Sequence, residues 1–186
     1  LHFRDKGYSV TVYDNFTINA IQYFDHTGIE IIKGDILNLG IEDKWYDLVI
    51  HAAAVCGIHN VGNISKTLDV NIVGTKNVID RFASKWKRFI LFSSCEIEGL
   101  SPGSYQYALF EPRWAYAISK VAAEYYCQDK IQQGCPITIL RPSNVFGVGQ
   151  VGDSAITNFI KHGLSDHKFI LYDDGSQTRA WCYISD

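Results

Sequence analysis

Tyr116 and Lys120 stand four residues apart at the head of a strong helix pattern that runs from Trp114 towards Gly134. Side chains at that spacing lie on one helical face, one above the other. An ammonium held beside a phenol favours the phenolate and lowers its pKa. A tyrosine tuned in this way can take the proton of an alcohol or sugar hydroxyl near neutral pH. The same spacing recurs at Tyr126 and Lys130, so spacing alone does not select a pair. Position does: Tyr116 opens its helix just after a loop that follows a strand ending in Ser93-Ser94, and Tyr126 lies deeper. Ten helical residues move a side chain about 15 Å along the axis and about 80° around it. Tyr126 and Lys130 therefore read as the structural pair. Ser94, at a strand end, can bond the reacting oxygen and stabilise negative charge developing there. Glu96 offers a carboxylate that could remove a proton from a carbon acidified by a neighbouring ketone, with a solvated loop glutamate as the rival reading.

The elements that must position these residues read as short apolar strands alternating with helices. Residues 1–6 resemble the last turn of a helix stopped by Gly7. Strands are expected at 8–13, 29–33, 48–51, 88–92, 136–140 and 169–172. Helices are expected at 65–84, 114–133 and 154–162, the first with Leu68, Ile72, Thr75, Ile79 and Phe82 on one stripe. Residues 99–113, with Gly99, Pro102, Gly103 and Pro112, read as a loop. Such alternation predicts an α/β fold with a doubly wound parallel sheet covered on both faces. Ligands of these sheets bind beyond the carboxyl ends of the strands. Asp14, Asp35, His51-Ala52-Ala53 and Ser93-Ser94 all close strands, so they are expected to converge on one rim.

Several of these rim residues fit a dinucleotide. An acidic residue ending a strand, as Asp14 does, can bond the adenosine ribose hydroxyls, and an ordinary turn aspartate is an equal rival. No Arg or Lys occupies positions 15–17, which favours NAD over NADP. Asp35 could accept from the adenine amino group, Ala52 and Ala53 offer a small-residue floor, and Asn71 could hold a water or backbone group near the nicotinamide. Turn, core and surface roles are their respective rivals. Arg141, Asn144 and Arg179 complete the polar candidates, and the Arg179 guanidinium suits a diphosphate. A glycine-rich phosphate loop is expected about 20 residues before such an aspartate, yet only 13 residues precede Asp14 and none carries that pattern. The chain is therefore read as a fragment whose first strand and loop are lacking.

Composition excludes other classes. A net charge of −3 gives no electrostatic case for nucleic acid or an anionic membrane surface. No apolar run is long enough to span a bilayer. The 5 cysteines form no Cys-x-x-Cys and the 6 histidines no ligand-spaced pair, so neither a disulfide framework nor a metal site is expected. A reducing cytoplasm fits this cysteine usage.

Taken together, the segments Tyr13-Asp14-Asn15, Lys33-Gly34-Asp35-Ile36, His51-Ala52-Ala53, Asn71-Ile72-Val73-Gly74-Thr75, Phe92-Ser93-Ser94, Tyr116-x-x-x-Lys120, Arg141-Pro142-Ser143-Asn144-Val145-Phe146-Gly147 and Asp174-Gly175-Ser176-Gln177-Thr178-Arg179 run in one order along essentially the whole chain. In this the chain resembles the extended short-chain dehydrogenase/reductase family, the NAD-dependent nucleotide-sugar epimerases and dehydratases. The resemblance implies a Rossmann-like NAD-binding domain over 1–147, lacking its first strand and loop, and the beginning of a substrate-binding region over 148–186. It implies Tyr116 as base, Lys120 as the lysine holding the cofactor and Ser94 as the catalytic hydroxyl, with Glu96 acting at C5 of the sugar. It implies cofactor contacts from Asp14, Asn15, Asp35, Ile36, Ala52, Ala53 and Asn71, and diphosphate contacts from Asn144 and Arg179. Residues 94–99 and Pro112-Arg113-Trp114 resemble the UDP-glucuronate decarboxylase and sugar dehydratase branch, although Glu98 replaces the usual tyrosine. Transient oxidation at C4 of a nucleotide-diphosphate sugar is the implied chemistry, with a homodimer as the full-length assembly and weak or no activity in the fragment. A simple NAD-dependent dehydrogenase and a non-catalytic NAD-binding protein remain the alternatives.

Overall fold

The computed structural model describes residues 1–18, 20–42, 44–56, 63–83, 85–99, 114–152, 154–165, 168–169, 171 and 174–186. The chain divides into two compact units, one of residues 1–15 and 28–142, the other of residues 16–27 and 143–186.

The first unit opens on the short helix α1 (His2–Asp5) and, among the described residues, holds five strands: β1 (Val10–Asp14), β2 (Ile29–Lys33), β3 (Tyr46–His51), β4 (Trp86–Phe92) and β5 (Ile137–Leu140). They are rich in β-branched and aromatic residues, which fit a pleated, half-buried surface. β1 pairs with β2 from Val10↔Ile29 to Asp14↔Lys33. β4 lies between β3 and β5, with His51↔Leu91 and Phe92↔Leu140 as the last pairs. All these pairings are parallel, so each connection is a crossover and the loops at strand ends are free to carry function. The core gathers Val78, Ile79, Phe82, Trp86, Phe89, Leu91, Ala123 and Cys127 between β4 and its helices. Trp86 and Phe89 stack at 4.8 Å, and Tyr46 meets Phe82 edge-on at 5.6 Å.

In the first unit strands and helices fall close to their expected positions, with one instructive exception. The helix expected at 65–84 is broken in its middle: α2 (Ile64–Leu68) passes into a π-helical turn over Asp69–Gly74 and then α3 (Thr75–Arg81). Asn63 caps α2 by accepting from the Lys66 N–H at 3.1 Å. The wider turn rotates the buried face. Thr67, Val70, Asn71, Gly74, Thr75, Val78 and Ile79 go inside, while Leu68 and Ile72 of the expected stripe are only half-buried. Periodicity at 3.6 residues cannot anticipate such a shift.

The long helix α4 (Trp114–Gln132) buries Ala117, Ser119, Lys120, Ala123, Glu124 and Cys127. Gly134, at φ 89, follows it and turns the chain into β5. Tyr126 donates to Asp80 on α3, where Lys76 and Lys130 also gather at 2.6 and 3.9 Å. This second Tyr/Lys pair thus ties α4 to α3. Residues 100–113, most of the expected loop, lie outside the described residues.

The second unit contains a 3₁₀ turn over Ile21–Tyr23, the helix α5 (Ala155–Ser165) and two strands that the sequence did not suggest, β6 (Asn144–Phe146) and β7 (Trp181–Tyr183). β6 and β7 pair in parallel. Most of the strand expected at 169–172 lies outside the described residues, and Phe169 and Leu171 are not in a strand.

A close approach in the first unit makes a testable point about its packing. A Cβ placed on Gly34 would lie inside contact distance of the Tyr13 phenol. That phenol donates to the Asp35 carbonyl at 3.3 Å and accepts from the Gly40 N–H at 3.1 Å. The ring is rigid and held at both ends, so it cannot step aside cheaply. Gly34→Ala is expected to lower stability by about 1–3 kcal/mol, read from urea melts of the complete protein. A loss below a few tenths would show that the loop after β2 yields.

Candidate active site

Each candidate side chain is placed by an identifiable element. Ser94 follows β4 and is buried, and its hydroxyl accepts from the Glu96 N–H at 3.2 Å. Glu96 sits in the 3₁₀ turn Cys95–Gly99. Tyr116 and Lys120 share a face of the first turns of α4. Lys120 Nζ lies 5.7 Å from the centre of the Tyr116 ring and donates to the Phe92 carbonyl, the last of β4, at 2.8 Å. One of its three protons is thereby engaged, which fixes the ammonium at the strand end and leaves donors for a ribose.

The electrostatics of the pair differ from expectation. The Tyr116 phenol is pushed up, not down: burial dominates, Cys56, Glu96 and Cys95 add to it, and the adjacent Ser94 hydroxyl opposes it. Burial also lowers the Lys120 pKa, with Cys56 and Glu124 opposing. The lysine is aimed at the Phe92 carbonyl, and its charge does not overcome the desolvation of the phenol. Tyr116 is thus a neutral phenol in this structure, and a phenolate requires further positive charge nearby. The Glu96 carboxyl is raised by burial.

Glu124 lies one turn beyond Lys120 on the same face and is 7% exposed. Arg141, just after β5, grips it bidentately, with Nε to Oε1 at 2.9 Å and Nη2 to Oε2 at 2.6 Å. Burial raises the Glu124 pKa, but the Arg141 bonds and the neighbouring Ser93 and Lys120 outweigh it and hold it below the carboxylate range. Among the described residues Ser93 Oγ is buried and faces Glu124 without a hydrogen bond of full geometry. The sequence reading assigned Glu124 nothing and left Arg141 without a role. An acid at i+4 from Lys120 was the available signal.

Asn71 occupies the π turn, 1% exposed. Its Oδ1 accepts from the Val55 N–H at 2.8 Å, and its Nδ2 donates to the Val55 carbonyl at 3.0 Å and to Ser119 Oγ at 2.9 Å. Both amide protons are therefore directed at protein groups. The Asn71 side chain locks the backbone of the loop after β3 to α4, which is the backbone-holding form of the role expected of it.

Next to it His51, the last residue of β3, bonds Thr75 Oγ1 through Nε2 at 2.9 Å. Burial, with Lys120 adding, lowers the His51 pKa to about 4. A histidine neutral in the fold but protonated when unfolded at its ordinary 6.5 destabilises the fold on acidification. Between those two values the unfolded chain binds more protons. Stability is therefore full above about pH 6.5 and falls by up to about 1.4 kcal/mol per unit down to about pH 4. Acid melts of His51→Gln should show a shallower slope over this window. An identical slope would remove His51 from the acid limb.

The remaining candidate residues belong to several elements. Asp14 is the exposed last residue of β1, and its carbonyl accepts from the Gly34 N–H at 2.9 Å. Asp35 accepts from the Leu37 N–H at 2.9 Å and from Asn15 Nδ2 at 3.1 Å, which with Lys66 hold its carboxyl below the usual range. The Ile36 side chain is buried in the core against Gly74, and its carbonyl accepts from Asn77 Nδ2 at 3.1 Å. Ala52 and Ala53 follow β3. In the second unit Asn144 Nδ2 donates to the Ala180 carbonyl at 3.2 Å, and Arg179 is exposed with Nη1 on the Thr178 carbonyl. Among the described residues no helix is long and apolar enough to cross a membrane, and no cluster of ligands could hold a metal ion.

The donor set suits a dinucleotide. Anionic Asp35 and exposed Asp14 can accept hydrogen bonds from adenosine hydroxyl and amino groups. Ala52 and Ala53 allow close approach, and Lys120 keeps two ammonium donors beyond its Phe92 bond. Parallel strands with crossover helices, and a Ser/Tyr/Lys group where β4 meets α4, are the architecture of the short-chain dehydrogenase/reductase class. More narrowly, the chain belongs to the NAD-dependent epimerase/dehydratase family, whose profile matches residues 2–186. It is 32% identical to a UDP-N-acetyl-alpha-D-glucosaminuronate decarboxylase of Bacillus cytotoxicus over 97% of the chain and 61% of that protein. It is 31% identical to UDP-glucuronic acid decarboxylase 1 of Xenopus tropicalis, over all of the chain and 48% of the relative. The solved UDP-glucuronic acid 4-epimerase of Bacillus cereus, in complex with UDP-glucuronic acid and NAD, superposes with a TM-score of 0.77 at 25% identity, over 98% of this chain and 63% of that one. The chain thus spans about half to two thirds of the length of these proteins.

Proposed function

We propose that the complete protein is an NAD-dependent enzyme that modifies a nucleotide-diphosphate sugar through transient oxidation at C4. The observation that carries this reading is the convergence of Ser94, Tyr116 and Lys120 at the end of β4, in a chain whose family is that of the epimerases and dehydratases. NAD, when bound, supplies the hydride acceptor and donor. Asp14, Asn15, Asp35, Ala52 and Ala53 would hold its adenosine half and Lys120 its nicotinamide ribose, with Ile36 contributing through its backbone. Asn144 and Arg179 are assigned to the substrate diphosphate.

Tyr116 takes the proton of the sugar 4-hydroxyl, and Ser94 donates to the same oxygen. Lys120 supplies positive charge beside the phenol. Glu96, whose raised pKa suits proton transfer, is assigned to C5 once C4 is a ketone. The relatives' names support a uronic acid nucleotide as substrate and decarboxylation as one outcome of the ketone. The absence of any cysteine pairing pattern supports a reducing compartment, the cytoplasm. Ile118 and Tyr125, exposed and seven apart on α4, support a homodimer through that helix.

The test uses the complete protein with UDP-glucuronate deuterated at C4, followed by NMR of the product and absorbance at the NADH band. Product that retains the label, with no net NADH, is expected. Stoichiometric NADH would instead mark a simple dehydrogenase, and no product from any uronic or hexose nucleotide would mark a non-catalytic NAD binder.

A further inference from the structure

A run of buried hydrogen bonds joins three elements under the Tyr116 turn, and its direction can be worked out atom by atom. Thr75 has one hydroxyl proton, and it goes to the Asn71 carbonyl at 2.7 Å. Thr75 Oγ1 must then accept at its 2.9 Å contact with His51, so His51 carries its proton on Nε2. Asn71 Nδ2 donates to Ser119 Oγ. Ser119 donates its own proton to the Tyr116 carbonyl at 2.7 Å. Ser119 is fully buried, as are Asn71 and Thr75 to within a few per cent. The run therefore starts at the end of β3, crosses the π turn and finishes on the backbone of Tyr116. Every donor in it has an acceptor, and a satisfied buried network of this kind specifies one arrangement.

The first turn of a helix lacks intrahelical acceptors for its N–H groups and frays more easily than the interior. Tyr116 lies in that turn. Its carbonyl is held by a side chain that is itself held by Asn71, which is pinned to both polar groups of Val55. We propose that Ser119 is a positioning residue for Tyr116, fixing the first turn of α4 on the Asn71 amide so that the phenol keeps its place relative to Ser94 and Lys120. This rests on the reading of Tyr116 as the base. Among the described residues, the charged and titratable groups facing the phenol are Cys56 after β3, Cys95 and Glu96 after β4, and Lys120 on α4 itself. Ser119 adds no charge to that set and acts only through geometry.

The test is the ultraviolet titration of tyrosinate in the NAD-saturated complete protein, taken as the difference between wild type and Tyr116→Phe. A wild-type midpoint below the ordinary value of about 10 supports the base assignment. Ser119→Ala is then expected to raise the midpoint by about one unit, a tenfold change in proton affinity, because a small displacement of a charge-coupled group weakens its coupling. Ser119→Thr, whose hydroxyl can bond the same carbonyl in a helix, should restore the wild-type value. A purely structural role would change the melting temperature and leave the midpoint in place. Ser119→Cys keeps the volume with a weak donor and carries the same expectation with smaller amplitude if the alanine variant does not melt cooperatively. An unshifted midpoint in whichever of these two variants folds overturns the proposal while leaving the base assignment intact. A wild-type difference that shows no tyrosinate below pH 10 overturns both.

Discussion

Tyr116→Phe in the complete protein is expected to lower turnover by about 10²–10⁴-fold and to leave NAD affinity within about threefold. The substitution removes one hydroxyl and keeps the ring, so the packing of α4 against β4 survives. The lost oxygen is the only part of the side chain that can exchange a proton. NAD affinity should persist because Lys120 is anchored by the Phe92 carbonyl rather than by the phenol. Calorimetry with NAD and a turnover assay on one preparation separate the two effects. Turnover within tenfold of wild type would transfer the base role elsewhere, with Glu96, a carboxyl beside the phenol, the first candidate. Loss of both activity and NAD binding would instead point to a collapsed site.

The raised Tyr116 pKa shapes this expectation. Burial outweighs Lys120 in the structure, so the phenol is protonated across the physiological range. Deprotonation becomes accessible when a further positive charge arrives beside it. On the proposed function, Tyr116 would therefore become a competent base only with the oxidised cofactor in place.

Arg141→Met should be the most destabilising change at a position outside the apolar core. Glu124 is buried and bidentately bound, and methionine leaves its carboxylate with the Lys120 charge and the Ser93 hydroxyl alone. Breaking a buried pair from one side costs about 3 kcal/mol. With Arg141 47% exposed the loss here is expected to be about 1–2 kcal/mol, still a sizeable share of the roughly 5–15 kcal/mol that folds a domain. The pH dependence gives the mechanism away. In the wild type the Glu124 pKa is below its unfolded value, so its contribution is present above the unfolded pKa and lost as pH falls through the folded one. In the variant, burial acts without Arg141 and raises the folded pKa above the unfolded value. The penalty is then full at neutral pH and shrinks as the carboxyl is protonated. Urea melts of both proteins at pH 7 and pH 4 should show a gap that narrows on acidification. The His51 contribution is common to both and cancels. A gap that is constant with pH, or under 1 kcal/mol at pH 7, would show that Arg141 does no more than a surface charge.

The strands were legible because their apolar runs are short and bounded by Gly, Asp and Asn, as at Ile29–Lys33 before Gly34-Asp35. Helix α4 was legible from Trp114 to Gly134 because its pattern is unbroken and ends in a glycine. The Tyr116/Lys120 pair could be told from Tyr126/Lys130 because register along one helix follows from residue numbers alone. Two strands of the second unit, β6 and β7, were not seen because each is only three residues long and relies on its partner. The π turn was hidden for a different reason. Its extra residue per turn is favoured by what Asn71 and Gly74 meet, namely Val55, Ser119 and Ile36, and none of these is near in sequence.

By itself, then, the sequence determined which residues could do chemistry and which elements carry them, since residue type, strand pattern and helical spacing are local properties. The tertiary structure decided their state. It decided which backbone Asn71 holds, because its amide meets Val55 and Ser119 across the fold. It placed Glu124 under Arg141, and it raised the Tyr116 pKa where the four-residue spacing suggested lowering. Burial and long-range partners set these outcomes, and both depend on what the rest of the chain brings to the site.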